Sequence, residues 1–105
     1  MTHDLPSQLI FLSLFAVGQS AYTREDYPLA TRIISSALDN LRDTTPLPEG
    51  TADAYNLLGW LYSRLGETDK ALANYARTIA LDSKRIRTYL NRGVLYLDLG
   101  DMRKA

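Results

Sequence analysis

The chain has 105 residues, of which 46% are hydrophobic, so it is expected to form one small domain with a modest core. Twelve basic and twelve acidic residues balance, which excludes a general attraction to nucleic acid or to an anionic membrane. Cysteine is absent, so disulfides, thiolate metal sites and catalytic thiols are excluded as well. The charge is uneven, however: residues 1–50 hold three Arg against six Asp/Glu, and residues 51–105 hold nine Lys/Arg against six.

The first predicted helix spans residues 5–22 and contains the apolar run Leu9–Gly18. This run is too short to span a bilayer. As an alternative it could be the core of a signal peptide, but Met1–Gln8 contains Asp4 and no Lys or Arg, which disfavours that interpretation. Asp4 or Ser7 is expected to cap the helix, with Pro6 in its first turn. The compartment stays unknown, with cytoplasm as the default and a secreted or periplasmic location only if the run is a signal peptide.

The second predicted helix spans residues 27–42 and is followed by a loop. Glu25 and Asp26 are interpreted as the turn and cap before it, and Pro28 is tolerated in its first turn because the missing N–H has no helical partner there. The segment Asp43–Thr51 has the composition of a loop, with clustered turn formers at Pro46, Pro48 and Gly50.

The third and fourth predicted helices span residues 52–65 and 69–81. One apolar stripe at helical spacing runs along the third helix, formed by Tyr55, Leu58, Gly59, Tyr62 and Leu65. Gly59 is unfavourable inside a helix, so we expect it to allow close approach of a second helix. Gly66 is expected to end the third helix in the left-handed conformation, and Thr68 and Asp69 are expected to cap the fourth.

A recurrence at 34 residues organises the rest of the chain. Tyr55, Gly59, Tyr62, Gly66 and Ala71 recur as Tyr89, Gly93, Tyr96, Gly100 and Ala105. A weaker copy lies 41 residues upstream and comprises Gly18, Ala21, Asp26, Ala30, Ile34 and Ala37. Self-similarity at such a period marks an array of helical repeats. The fifth helix is therefore expected at 85–98, with Gly100 ending it and a short stub of a sixth helix following.

These positions resemble the tetratricopeptide repeat, a helix–turn–helix unit of this period. The chain departs from the family pattern at Thr78, where Ala is usual, at Ser83, where Pro is usual, and at Arg92, where Leu58 stands in the preceding unit. The resemblance implies an all-α fold, a short right-handed α-solenoid of antiparallel helix pairs with five helices plus the C-terminal stub. It further implies one domain over residues 1–105, with repeat 1 at about 11–44, a loop insertion at 45–51, repeat 2 at 52–85 and a partial repeat 3 at 86–105.

In this family the first helices of successive repeats line a concave groove that binds a peptide or protein. The resemblance places a partner-binding site on eight residues, Phe15, Gln19, Asn56, Trp60, Arg64, Arg87, Asn91 and Val94. Alternatively, Phe15 and Trp60 only pack between neighbouring helices. One subclass of the family grips a terminal carboxylate with Lys and Asn, but Phe15, Gln19 and Leu57 occupy those positions here, so this groove is expected to be more apolar.

Catalytic and cofactor signals are absent from the sequence. His3 is the only histidine, and neither metal-ligand spacing nor a nucleophile or phosphate-loop motif occurs. The basic cluster at residues 84–92 is interpreted as a solvated helix start, so nucleic acid and membrane are not expected as partners. The leading hypothesis is a non-enzymatic module that binds a protein or peptide in the groove. The alternative is a self-associating scaffold segment, a homo-oligomer through the incomplete C-terminal repeat, completed by another copy or by the rest of a longer chain.

Overall fold

A computed structural model describes residues 5–104, the last four of them through their backbone only. Within this range the fold is all-α and comprises five helices: α1 (Leu5–Thr23), α2 (Tyr27–Asp39), α3 (Thr51–Arg64), α4 (Thr68–Leu81) and α5 (Ile86–Lys104). The predicted all-α class is confirmed. None of the helices in the described range is long and apolar enough to cross a membrane.

The helices pack as consecutive antiparallel pairs. Helix α1 packs against α2 and α3 against α4, while α2 also contacts α3 and so joins the two pairs. Helix α5 packs against α4 and, to a smaller extent, α3. This sequential stacking confirms the predicted helical solenoid, and it places α1, α3 and α5, the first helices of the repeats, beside one another.

Two glycines set the close approach within the helix pairs. A Cβ atom added at Gly59 would lie 2.6 Å from Cδ1 of Tyr75 on α4, and one added at Gly18 would lie 2.5 Å from Cγ1 of Ile34 on α2. Real Cβ atoms do not approach carbon so closely, so only glycine permits these contacts. The predicted role of Gly59 is confirmed, and the first pair uses the same device.

The turns inside the two pairs share one hydrogen-bonding pattern. The Glu67 N–H donates to the Tyr62 carbonyl at 2.9 Å, and the Asp26 N–H donates to the Ala21 carbonyl at 3.0 Å. Gly66 has the predicted left-handed conformation with φ of +80°, and Glu25 occupies the equivalent position with φ of +63°. A non-glycine residue in this conformation costs roughly 1 kcal/mol. Repeat geometry therefore overrides local preference at Glu25.

The predicted helix caps are partly wrong. Asp26 caps α2, since its Oδ1 accepts from the Leu29 N–H at 3.3 Å. Thr68, however, is the first residue of α4, and the N-cap is Glu67, which makes no side-chain capping hydrogen bond. The Glu67 carboxylate instead lies 3.2 Å from the Lys70 ammonium. Ser7 likewise lies inside α1, and Asp4 falls outside the described residues.

Helix α5 differs most from the sequence prediction. Gly100 was expected to end it, but the helix continues to Lys104, so no separate sixth-helix stub forms in the described range. Gly66 reverses the chain where Tyr75 returns to pack on Gly59, whereas a Cβ at Gly93 or Gly100 would meet nothing within 4 Å. With no returning helix among the described residues, nothing offsets the loss of helical hydrogen bonds that a break at Gly100 would cause.

The core is divided between the two ends of the solenoid. The larger cluster joins α1, α2 and α3 and includes Phe11, Phe15, Ile34 and Leu61. The smaller cluster consists of Ala71, Tyr75 and Leu95 and joins α4 to α5. The predicted loop between α2 and α3 is confirmed, and the Gln8 side-chain amide ties it to α1 by donating to the Pro46 carbonyl at 3.1 Å.

Candidate partner-binding groove

Side chains from α1, α3 and α5 converge on a cavity of about 170 Å³, which we call the groove. Its lining comprises Tyr22 from α1, Asn56, Leu57 and Trp60 from α3, and Arg87 and Asn91 from α5. The three helices reach one surface because each opens a repeat. Of the eight residues predicted for the partner site, the structure brings together Asn56, Trp60, Arg87 and Asn91.

Trp60 forms the apolar wall of the groove. Its ring makes edge-on contacts with Tyr22 and Tyr27, at centroid distances of 5.4 and 5.3 Å. The Arg64 guanidinium lies 5.6 Å from the Trp60 ring centroid. The indole is half-buried and still lines the groove. The sequence left open whether Trp60 packs between helices or faces the groove. In the structure it does both.

Asn56 is tied to the fold by a buried hydrogen bond. The Thr88 hydroxyl on α5 donates to Asn56 Oδ1 at 2.8 Å, and Thr88 is fully buried. A buried polar pair of this kind fixes the spacing between neighbouring elements because breaking it leaves both groups unsatisfied. Asn56 therefore positions α5 against α3, and only its amide nitrogen is left to meet a ligand.

Arg87 and Asn91 supply the polar side of the groove. Arg87 is exposed and Asn91 is half-buried on the next turn of α5. Among the ion pairs of the described residues none involves Arg87, while its neighbour Arg85 contacts Asp53 and Asp82. Arg85 thereby neutralises the carboxylate at the start of α3. The Arg87 guanidinium is consequently available to a carboxylate or carbonyl group of a ligand.

Four of the predicted site residues lie elsewhere. Phe15 is 7% exposed and stacks on Phe11 at 5.5 Å between ring centroids, so its assignment to the groove surface is corrected to the core. Gln19 and Val94 are exposed but do not line the groove, and Arg64 reaches it only by covering Trp60. Phe15 faces inward because it shares the buried stripe of α1 with Phe11, Gly18 and Ala21, and Gly50 from the loop after α2 lies near its ring, where an added Cβ would lie 3.9 Å away.

Sequence reasoning missed two contributors to this region. Thr88 stands 34 residues after Ala54, and both are fully buried. A hydroxyl at a register position that is apolar in the preceding repeat must find a hydrogen-bond partner, so this signal was available. Tyr27 had no comparable signal, because it starts α2 and reaches Trp60 only through the turn geometry. The described residues contain no group of acidic or histidine side chains that could hold a metal ion.

Two protein-family models together match nearly the whole chain. A family model described as tetratricopeptide repeat matches residues 9–84, and a second with the same description matches residues 86–105. Comparisons with curated proteins and with solved structures give no significant match. The boundary between the two family matches falls at the start of α5, where the repeat register begins its third unit. The chain therefore belongs to the tetratricopeptide repeat family.

Proposed function

We propose that the chain is a non-enzymatic interaction module that binds a peptide segment of a partner protein in the groove. Tetratricopeptide repeats generally serve as protein–protein interaction modules. The observation that carries the proposal is the convergence of an aromatic wall at Trp60 with the uncommitted polar groups of Arg87 and Asn91 on one cavity. Aromatic and arginine side chains at the centre of a pocket are the usual anchors of protein interfaces.

The groove suits one apolar side chain and an adjacent polar group. Its volume of about 170 Å³ is small beside the roughly 300–1,000 Å³ of small-molecule pockets, which favours a side chain over a whole metabolite. Tyr22, Leu57 and Trp60 would enclose that side chain. Arg87 would pair with a carboxylate or backbone carbonyl of the partner, and Asn91 would bond its backbone.

Replacement of Arg87 and Asn91 together by alanine is expected to weaken capture of groove partners at least about tenfold, since each residue is treated as an interface anchor. The matched control is Arg32→Ala/Asn40→Ala, which removes the same residue types from exposed positions on α2 and at its end that do not line the groove. Affinity capture from native lysate, followed by titration of each captured partner, compares the two variants with the wild type. Capture of every partner by the Arg87→Ala/Asn91→Ala variant at wild-type affinity would refute the groove.

A second candidate function, self-association, is favoured by the apolar face of α5. Ile86, Leu90 and Leu97 are 72%, 64% and 70% exposed, and they form one stripe with Gly93. The repeat register shows that a helix fits beside such a glycine, as α4 does at Gly59. A second copy could supply its own α5, because an exposed apolar stripe of this kind marks an interaction surface.

Under this second candidate the wild-type chain is expected to form dimers that Leu90→Glu/Leu97→Glu dissociates. Two glutamates facing each other across the contact would bury unpaired charge and prevent the apolar stripes from meeting. Light scattering after gel filtration measures the mass over a range of concentrations. A wild-type chain that stays folded and monomeric at the highest concentration would exclude self-association and leave the groove proposal intact.

A further inference from the structure

A second cavity, of about 400 Å³, lies between α2 and α4 with α3 as its floor. We call it the α2–α4 cleft. The floor consists of Tyr55, Leu58 and Tyr62. With 3.6 residues per turn, these side chains leave α3 on the side opposite Leu57 and Trp60, which line the groove. The α2–α4 cleft and the groove are therefore separate sites on opposite faces of the solenoid.

Two cations are held over the floor of the cleft by its tyrosines. The Arg77 guanidinium lies 5.6 Å from the Tyr55 ring centroid, and the Lys70 ammonium lies 5.5 Å from that of Tyr62. Arg77 Nη1 also donates to the Tyr55 hydroxyl at 3.5 Å. Contacts of a cation with a ring face restrain its position while leaving its N–H donors free for an acceptor. Both side chains are thus positioned in advance of any ligand.

The lining of the cleft has an excess of positive charge. Arg42, Lys70 and Arg77 line it together with a single carboxylate, that of Asp39. Asp39 lies 3.8 Å from Arg42, and Lys70 is paired with Glu67 outside the cleft. No ion pair between described residues includes Arg77. Because the whole chain is electrically balanced, this excess is a local feature that would attract a negatively charged group to the cleft.

We propose that the α2–α4 cleft binds an acidic peptide segment of a partner protein. Carboxylates of the segment would meet Arg77 and Lys70, which are seven residues apart and hence about 10 Å apart along α4. A segment in the polyproline II conformation has three residues per turn and rises about 3.1 Å per residue, so two acidic residues three positions apart share one face about 9 Å apart and match both cations. An apolar side chain between them would reach Leu58. This assignment is independent of the groove.

The cleft favours a peptide over a nucleic acid. Single-stranded nucleic acids bind by stacking bases on exposed aromatic rings and by contacting a continuous basic track. Here the rings of Tyr55 and Tyr62 are covered by Arg77 and Lys70. The Arg77 guanidinium, held over Tyr55 by the ring and by its hydroxyl, keeps further N–H groups in the fork geometry that a carboxylate accepts.

Fluorescence anisotropy tests the proposal with three labelled probes. The first is a capped peptide in which two glutamates three positions apart enclose a leucine. The second is the same peptide with both glutamates replaced by glutamine, and the third is an oligouridine. The wild-type chain is compared with Arg77→Gln and Lys70→Gln in the cleft, with Arg87→Gln in the groove, and with Arg24→Gln, which removes the same charge from an exposed turn.

The glutamate peptide is expected to bind at least about tenfold more tightly than the glutamine peptide. Arg77→Gln and Lys70→Gln are each expected to weaken it at least fivefold, while Arg24→Gln and Arg87→Gln change it less than twofold, because only the cleft cations contact the carboxylates. Equal weakening by Arg24→Gln would show unspecific charge attraction and overturn the proposal. Weakening by Arg87→Gln alone would assign the peptide to the groove instead. Binding of oligouridine without binding of the glutamate peptide would also overturn the proposal that the cleft binds an acidic peptide.

Discussion

Replacement of Gly59 by alanine is expected to lower the free energy of unfolding by about 2 kcal/mol, although alanine is the better helix former. The added methyl group would lie 2.6 Å from two ring carbons of Tyr75. Tyr75 is only 1% exposed, so its ring has no room to withdraw. Overpacking of such a contact costs about 1–3 kcal/mol, and separation of α3 from α4 would also loosen the smaller core cluster. The helix propensity gained offsets only part of this loss.

The matched control is Gly93→Ala, at the same register position one repeat later. Space around Gly93 is open, so alanine there is expected to raise the free energy of unfolding by about 1 kcal/mol through helix propensity alone. Thermal denaturation followed by circular dichroism should separate the melting temperatures of the two variants by about 10 °C or more. Equal destabilisation by both would contradict the open environment of Gly93 and indicate that another helix covers α5 in solution.

The repeat register accounts for how much of the fold could be predicted. An antiparallel helix pair is specified by three features: a glycine where the helices cross, and a small and a bulky residue on the returning helix. These features act whatever the helix propensity of single residues. This is why Glu25 could be predicted to lie in a turn, although glutamate has no preference for the left-handed conformation that it adopts. The repeat register reflects which residues pack between helices, and in a solenoid this packing outweighs the conformational preference of a single residue.

The same register failed where its packing partner is lacking. At Gly100 the sequence pattern predicted a helix end, but the pattern alone does not end a helix. A returning helix has to gain more by packing than the broken hydrogen bonds cost, and none lies beside α5 among the described residues. Thr68 and Asp69 illustrate a smaller error of the opposite kind, in which local capping preference was followed although the repeat pattern decides the N-cap. The turn pattern shared with Asp26 fixes Glu67 at the N-cap, whatever the capping strength of its neighbours.

About half of the residues of the candidate site could be predicted from the sequence. Helical spacing identifies which residues share a face, and it placed Asn56, Trp60, Arg87 and Asn91 together as the structure has them. Spacing does not tell how far a neighbouring loop covers that face. The loop after α2 brings Gly50 close to Phe15, which adds to the burial that Phe15 already has in one helical stripe with Phe11, Gly18 and Ala21.

The stability of the chain is expected to fall as pH rises through the alkaline range because of Tyr75. Burial raises the pKa of Tyr75 from 10.0 to about 12. The folded state therefore holds the phenolic proton more tightly than the unfolded state, in which Tyr75 ionises near pH 10. Its contribution is fully present below pH 10 and is lost progressively as pH rises to about 12. At about 1.4 kcal/mol for each tenfold change in proton affinity, the loss approaches about 3 kcal/mol.

The variant Tyr75→Phe isolates this effect, because phenylalanine fills the same space beside Gly59 without an ionisable group. The other six of the seven tyrosines are present in both proteins, so the difference between the two belongs to Tyr75. Urea unfolding at intervals between pH 8 and pH 12 measures both free energies. We expect similar stability at pH 8 and a growing advantage of Tyr75→Phe above pH 10, to about 2–3 kcal/mol near pH 12. Parallel curves over the whole range would mean that the hydroxyl reaches water and that α4 does not close on α3 as tightly as the Gly59 contact requires.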